Sequence, residues 1–151
     1  MEKMLKNVKK IYIAGALTYT DEKQKLIYKK IADICSEFCS DVYVPHLRGT
    51  DPVKNPEVSP NDVWQIDHRE IATSDLIIAY VGKPALGVGG ELEIARITNS
   101  DIILWNFNGE KVSRLALGNP AVVERVEAED EDDLFNKITK TLKEKYFHEE
   151  K

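Results

Sequence analysis

One segment in the middle of the chain limits the possible folds more than any other. Residues 76–81 read LIIAYV, a short apolar run rich in β-branched residues, which is typical of a strand covered on both faces of a sheet. Three glycines follow at Gly87, Gly89 and Gly90, directly before Glu91. The segment predicts a central strand, a glycine-rich turn with positive φ values, and a helix that Glu91 opens.

Glu91 is the strongest candidate for a reactive group. A carboxylate in the first turn of a helix is stabilised in its charged form by free N–H groups and the macrodipole, so we expect a nucleophile or base. The third glycine of a dinucleotide fingerprint would fall on Leu92, and a P-loop would end in Gly-Lys-Ser/Thr, so both motifs are excluded. The alternative is a tight turn without a ligand, with Glu91 as an ordinary helix-start residue.

The rest of the chain alternates strand-like and helix-like segments. Further strands are predicted at residues 10–15, 41–45, 101–105 and 121–126, with helices at 21–38, 59–73, from Glu91 to about 98, and at 130–146. Because parallel strands need crossovers, the alternation predicts one α/β domain over residues 1–151. We expect a doubly wound five-stranded parallel sheet of order 2-1-3-4-5, flanked by helices, of Rossmann or flavodoxin type. Ligands of such sheets bind where the winding reverses, here between the carboxyl ends of the first and third strands.

Composition narrows the class of ligand. The chain is 42% hydrophobic and 31% charged, and no apolar run approaches the roughly 20 residues that a membrane span needs. The first ten residues lack the apolar core of a secretory signal, so we expect a cytoplasmic protein without membrane contact. A formal net charge of -5 argues against binding a nucleic acid polymer. A small molecule is therefore the expected partner.

Other chemistry-bearing residues give weaker signals. Cys35 and Cys39 lie four residues apart in a predicted helix, and we expect two reduced thiols and no metal site. Asp67, on the helix before the central strand, points either into the crevice or out to solvent. His46 follows the carboxyl end of the second strand and borders the crevice. Tyr12 lies inside the first strand, where a tyrosine is ordinarily a core residue.

Four motifs occur in a fixed order over about residues 10–105. They are IYIAGALTYTDEK at the first strand and turn, VPHL after the second strand, QIDHREIATSDLIIAYV around Asp67, and PALGVGGELEIARI around Glu91. Together these motifs resemble the nucleoside 2-deoxyribosyltransferase superfamily, and most closely the 2'-deoxynucleoside 5'-phosphate N-hydrolases. The resemblance implies a fold like the predicted one, no cofactor, and dimers or higher homo-oligomers whose active sites borrow residues from a neighbouring subunit.

The resemblance also assigns roles to individual residues. It implies that Glu91 is the catalytic nucleophile, that Asp67 assists the departing base, and that Tyr12 positions the nucleophile. It implies that His46 lies beside the base. The glycines that it places against the sugar are Gly15, Gly87 and Gly89.

The phosphate-binding positions differ from the family pattern. The nucleotide hydrolases carry a serine after the first glycine and an arginine two positions later, where this chain has Ala16 and Thr18. A phosphate-binding serine six residues before the nucleophile is Ala85, and a serine lent by the partner subunit falls near Ser113 or Arg114. The base-reading aspartate of the transferases is also replaced. The donors that remain for a 5'-phosphate are Thr18, Thr20, Arg48 and Arg114.

The expected chemistry is cleavage of an N-glycosidic bond. Such a bond breaks through an oxocarbenium-like state, which needs a carboxylate below the sugar and a proton donor for the leaving base. We expect hydrolysis of a nucleoside or nucleoside 5'-monophosphate through a covalent glycosyl-enzyme on Glu91. The alternatives are base exchange by a deoxyribosyltransferase through the same intermediate, cleavage of an NAD-type nucleotide, and a non-catalytic nucleotide sensor.

Overall fold

A parallel sheet forms the centre of the molecule. The computed structural model describes residues 6–148. The strands are β1 (Lys10–Ala14), β2 (Asp41–Tyr43), β3 (Leu76–Tyr80), β4 (Asp101–Phe107) and β5 (Val122–Ala128). Each neighbouring pair is parallel, and the order is β2-β1-β3-β4-β5. This order confirms the predicted doubly wound sheet.

Helices cover both faces of the sheet. They are α1 (Glu22–Ser36), α2 (Pro60–Ala72), α3 (Leu86–Ile97), α4 (Arg114–Leu117) and α5 (Glu131–Lys145). Asp21 and Ser59 cap α1 and α2, because their side chains accept hydrogen bonds from backbone N–H groups in the first turns of these helices. Among residues 6–148, no helix is both long and apolar enough to cross a bilayer.

The central strand supplies side chains to two separate cores. All five residues of β3 are buried, as its apolar run predicts. Ile78 packs in the core beneath α1 and α5, whereas Ile77 packs in the core beneath α2 and α3. Tyr12 of β1 pairs with Ile77 and lies on the same side, so the first strand presents this tyrosine to α2 and α3.

The start of α3 corrects the sequence prediction. The helix begins at Leu86, so the glycines that precede Glu91 lie within it, and Glu91 lies in its second turn. The glycines with positive φ are Gly49 and Gly109 instead. The early start has a packing reason, because α3 buries Val88, Leu92 and Ala95 at helical spacing against the sheet. Burial of this stripe outweighs the poor helix propensity of glycine.

The segment after β4 also differs from expectation. β4 continues to Phe107, and β5 begins and ends later than predicted. The polar stretch between them contains the short helix α4, whose Leu117 packs against the α2 and α3 core. Burial of that side chain explains a helical turn in an otherwise polar sequence.

The two cysteines are free, as predicted. Cys35 and Cys39 are both buried in the core beneath α1. Burial raises the pKa of the Cys35 thiol to about 12. These thiols therefore act as small apolar side chains.

Candidate active site

Tyr12 forms the floor of a crevice beneath α2 and α3. Its ring is fully buried and stacks on Tyr43, with ring centroids 5.5 Å apart and an interplanar angle of 17°. The Arg48 guanidinium also lies over the Tyr43 ring, 5.6 Å from its centroid. Burial, and then the negative charges of Glu91 and Asp67, raise the pKa of the Tyr12 hydroxyl well above its ordinary value. The phenol is therefore a hydrogen-bond donor at neutral pH.

Glu91 projects from the second turn of α3 toward Tyr12. Burial raises the pKa of the Glu91 carboxyl to about 8, the Tyr12 hydroxyl opposes this rise, and the charge of Asp67 adds to it. The prediction that the helix start stabilises the charged form of Glu91 is therefore wrong. Glu91 lies in the second turn of α3, too far from the free N–H groups of the first turn to be stabilised by them. Desolvation therefore determines the pKa of its carboxyl group.

Asp67 projects from α2 toward the same point. Its pKa is raised to about 6, chiefly by burial and secondly by the charge of Glu70. Asp67 Oδ1 and Tyr12 Oη are both buried and complete no hydrogen bond among residues 6–148. Buried polar atoms without partners are rare in proteins and concentrate at functional sites. The crevice therefore holds donor and acceptor groups that are available to a ligand.

The structure thus brings together three side chains that lie far apart in sequence. Tyr12, Asp67 and Glu91 each shift the pKa of at least one of the other two. With a pKa of about 6 for Asp67 and about 8 for Glu91, the pair carries one proton at neutral pH, mostly on Glu91. The form with Glu91 ionised and Asp67 protonated, which offers a nucleophile and a proton donor, is the minor one.

The loop after β1 is held in place by α1. Tyr28 donates a hydrogen bond to the carbonyl oxygen of Ala16 at 3.0 Å, and the Thr20 hydroxyl donates to the same oxygen at 2.7 Å. A Cβ at Gly15 would lie 2.3 Å from Cζ of the Tyr28 ring, so glycine is required there for packing. Thr18 is exposed. Of the predicted phosphate donors in this loop, Thr20 is engaged and Thr18 is accessible.

His46 lies at the base of the loop after β2. It is buried, its ring is tilted against Tyr28 with centroids 6.2 Å apart, and burial lowers its pKa. Its Nδ1 atom has no hydrogen-bond partner within the described part of the chain. A neutral imidazole with one unsatisfied nitrogen is suited to contacting a polar heterocycle.

Several predicted substrate-binding residues lie elsewhere. A groove of about 950 Å³ runs between α3 and the α4 segment. Tyr12, Asp67 and Glu91 are not among the described residues that line it. The predicted residues that do line it are Ala85, Gly89, Ser113 and Arg114. The structure therefore does not bring these four residues into the crevice of the same chain, whereas Gly87 precedes Glu91 by one helical turn and shares its face.

Sequence reasoning missed two contributors to the site. Tyr43 forms the stack beneath Tyr12, and the alternation of β2 could have placed both on one face of the sheet. Trp64 lies one turn before Asp67 and is 55% exposed, which is uncommon for so large an apolar ring. Its spacing from Asp67 was the available signal.

The protein thus combines a doubly wound α/β fold with a crevice that contains two carboxyl groups and a tyrosine. No protein-family model matches the sequence, and no curated protein matches it. Among solved structures, CMP N-glycosidase BcmB of Clostridium botulinum superimposes with a TM-score of 0.67 at 22% identity, over 89% of this chain and 100% of that chain.

Two further structures have the same fold. BlsM has a TM-score of 0.67 at 18% identity, over 91% of this chain and 93% of that chain. The 2-deoxyribosyltransferase of Bacillus psychrosaccharolyticus has a TM-score of 0.61 at 20% identity, over 84% of this chain and 90% of that chain. The chain therefore has the nucleoside 2-deoxyribosyltransferase-like fold, as the sequence motifs predicted.

Proposed function

We propose that this protein is an N-glycosidase that hydrolyses nucleosides or nucleoside 5'-monophosphates, releasing the free base and the sugar or sugar phosphate. The cluster of Glu91, Asp67 and Tyr12 carries the proposal, since it puts two carboxyl groups and a phenol into one crevice. The shared fold with a CMP N-glycosidase supports the substrate class. The crevice beneath α2 and α3 lies where a doubly wound sheet binds its ligand.

The proposed reaction has two steps. The reactive form is the minor one in which Glu91 is ionised and Asp67 protonated. In it the Glu91 carboxylate attacks C1' of the sugar while the N-glycosidic bond breaks, and Asp67 gives its proton to the departing base nitrogen. The product is a glycosyl ester on Glu91. Asp67, now ionised, takes a proton from water as the water oxygen attacks C1', which frees the sugar and regenerates Glu91. Tyr12 donates toward the Glu91 carboxylate and holds it beneath the ring.

Removal of the nucleophile tests this proposal. Glu91→Gln and Glu91→Ala should reduce base release by roughly 10⁴-fold or more, because the residues of such a site act as a unit. The assay incubates the protein with deoxynucleosides, ribonucleosides and their 5'-monophosphates and detects free base by chromatography. Glu144→Gln makes the same chemical change on the exposed face of α5 and should leave the rate unchanged. Wild-type rates in folded Glu91 variants would refute the assignment.

Base exchange is the second candidate, because a 2-deoxyribosyltransferase has the same fold. Both reactions share the ester on Glu91 and differ in what attacks it. Adding a second free base to the assay separates them, since a transferase yields a new nucleoside whereas a hydrolase yields only free sugar. We propose hydrolysis because the loop motif around Glu91 is most similar to that of the hydrolases.

The 5'-phosphate is a separate question. With Thr20 hydrogen-bonded to Ala16, the donors left in this chain are Thr18, Arg48 and Arg114. Arg48 lies over the Tyr43 ring, which stacks on Tyr12 of the cluster. We propose that it contributes to binding an anionic substrate. Arg48→Ala should raise KM for a monophosphate more than for the matching nucleoside, and equal effects on both would contradict this role.

We also propose that the protein works as a homo-oligomer with shared sites. Leu86 of α3 and Leu115 of α4 are 99% and 87% exposed on the walls of the groove. Exposed apolar side chains around a groove mark association surfaces. A second copy seated there would cover both leucines and receive Ser113 and Arg114.

Two measurements test the shared site. Leu86→Asp and Leu115→Asp should convert an oligomer into a species of 17.2 kDa in light scattering. If the partner contributes Arg114, mixing inactive Glu91→Gln with impaired Arg114→Ala subunits should restore activity through hybrid sites. A monomeric wild type, or a mixture that stays inactive after subunit exchange, would count against the proposal.

A further inference from the structure

Trp64 lies on the wall of the crevice beside Asp67. Residues three apart on a helix share a face, so Trp64 and Asp67 are neighbours on α2. The chain enters α2 from the carboxyl end of β2, so the start of this helix lies at the edge of the sheet where the crevice opens. Helical side chains lean toward the helix N-terminus. The indole therefore lies on the outer side of Asp67, toward the mouth.

The opposite wall is formed by α3, which has no side chains at Gly87 and Gly90. Gly87 lies four residues before Glu91 on α3, so the two share a face. A Cβ built at Gly87 would find no other heavy atom of the described chain within 4 Å, apart from the backbone of its own helix, and the same holds at Gly90. α2 and α3 pack against each other. We call the space between their N-terminal halves the slot; Trp64 stands on its α2 side, and Gly87 and Gly90 leave its α3 side without side chains.

A second ring stabilises the orientation of Trp64. His68, four residues later, stacks on the indole with centroids 4.7 Å apart and an interplanar angle of 24°. This stack covers one face of the indole, and the side chain remains 55% exposed. A flat, preoriented ring loses little conformational entropy when a second flat group binds to it.

We infer that Trp64 is a substrate-binding residue that stacks on the nucleobase in the slot between α2 and α3. The inference rests on the proposed function, because it needs Asp67 to face the leaving base. The base leaves C1' on the side of Asp67, and Trp64 is the aromatic ring one turn away from that carboxyl group. Stacking on an aromatic face accepts any base, with purines favoured by their larger area.

Intrinsic fluorescence tests the inference directly, because the chain has two tryptophans with opposite environments. Trp105 is fully buried in the other core, beneath α1 and α5, whereas Trp64 is exposed. The probes are CMP, dGMP and deoxyadenosine, added to the Glu91→Gln protein so that nothing is turned over. Base-bearing probes should quench Trp64, and deoxyribose 5-phosphate, which lacks a base, should not. In Glu91→Gln/Trp64→Phe, which keeps Trp105 alone, the quenching should disappear.

Kinetics supply the second readout. Trp64→Ala in the otherwise wild-type protein should raise KM about tenfold with little change in kcat, and Trp64→Phe should recover most of the loss. Leu26→Ala removes a comparably exposed apolar side chain from α1 and should change neither parameter.

The outcomes separate the two proposals. Absence of base release by the wild type refutes the proposed function, whatever the fluorescence shows. Base release without quenching by any base-bearing probe, or quenching that deoxyribose 5-phosphate reproduces, overturns the role of Trp64 alone. Loss of the oligomer in Trp64→Ala, with KM unchanged for the remaining protein, would show that a second copy covers this ring instead.

Discussion

The two faces of the sheet each bury acidic side chains, and they treat them differently. Beneath α1, Asp51 is fully buried and accepts hydrogen bonds from Lys25 Nζ at 2.8 Å and from the backbone N–H groups of Val53 and Lys54 at 2.8 and 3.3 Å. Beneath α2 and α3, one oxygen of Asp67 has no hydrogen-bond partner among residues 6–148. The pKa of Glu91 is lowered only by the Tyr12 hydroxyl, which does not offset burial.

The pKa shifts follow from these partners. Burial alone would raise the pKa of Asp51, but its hydrogen bonds to Lys25, Val53 and Lys54 outweigh burial and lower it. Burial raises the pKa of Glu91 and of Asp67, because no comparable donors offset it. A buried acid with all its partners therefore holds a loop, whereas an acid that is desolvated without them has a raised pKa, as residues of functional sites often do.

After the loss expected for the Glu91 variants, the largest predicted effect concerns Asp67. Asp67→Asn should lower kcat roughly 10²- to 10⁴-fold, because the departing base loses its proton donor. The wild type should show a bell-shaped pH profile, falling below about 6 where both carboxyl groups are protonated and above about 8 where both are ionised. In Asp67→Asn the alkaline fall should vanish, and the acidic fall should move to higher pH, because activity then follows the ionisation of Glu91 alone. Persistence of both limbs would assign the proton donor to another group.

The next largest effect concerns the α1 side of the sheet, where Asp51 has its hydrogen-bond partners. Lys25→Met leaves the Asp51 carboxylate buried without its cation and should reduce the free energy of unfolding by roughly 3–5 kcal/mol. The measurement is chemical denaturation at neutral pH. Lys29→Met breaks the exposed pair with Asp33 on the same helix and should change stability by less than about 1 kcal/mol. Equal losses in the two variants would mean that burial of the Lys25–Asp51 pair contributes nothing.

The smallest effect concerns the stability cost of the site. The folded state raises the pKa of Glu91 from 4.5 to about 8, so the folded protein binds more protons than the unfolded chain between these values, and its stability falls as pH rises through that window. Glu91→Gln removes this loss. Its melting temperature should exceed that of the wild type by at least about 2–4 °C at pH 8, with a smaller gap at pH 5. A constant gap across this range would contradict the raised pKa.

The fold followed from the sequence because its strands are unusually clear. Residues 76–81 and 101–105 are apolar runs that only a buried sheet accommodates, and Asp21 and Ser59 mark helix starts with their own side chains. The start of α3 could not be predicted in the same way. Local preference of the glycines favours a turn, and burial of Val88 and Leu92 against a sheet formed by distant residues reverses that preference.

The motifs selected the three residues that the structure brings together, but not their pKa values. The motifs selected Tyr12, Asp67 and Glu91, but the pKa of Glu91 depends on how completely β1 and α2 surround it, which no local pattern contains. The same holds for Ser113 and Arg114, whose distance from the crevice depends on the path of the chain after β4. Tyr12 illustrates the limit, because inside a strand it is indistinguishable from an ordinary core tyrosine.

The two buried thiols have a practical consequence. Cys35 has no exposed surface and Cys39 is 7% exposed, and burial raises the pKa of both thiols. An alkylating reagent added to the native protein can react with Cys35 only during openings that expose this side of the sheet. The rate of Cys35 labelling therefore measures how often the native protein opens. No attached dye is needed to follow its unfolding.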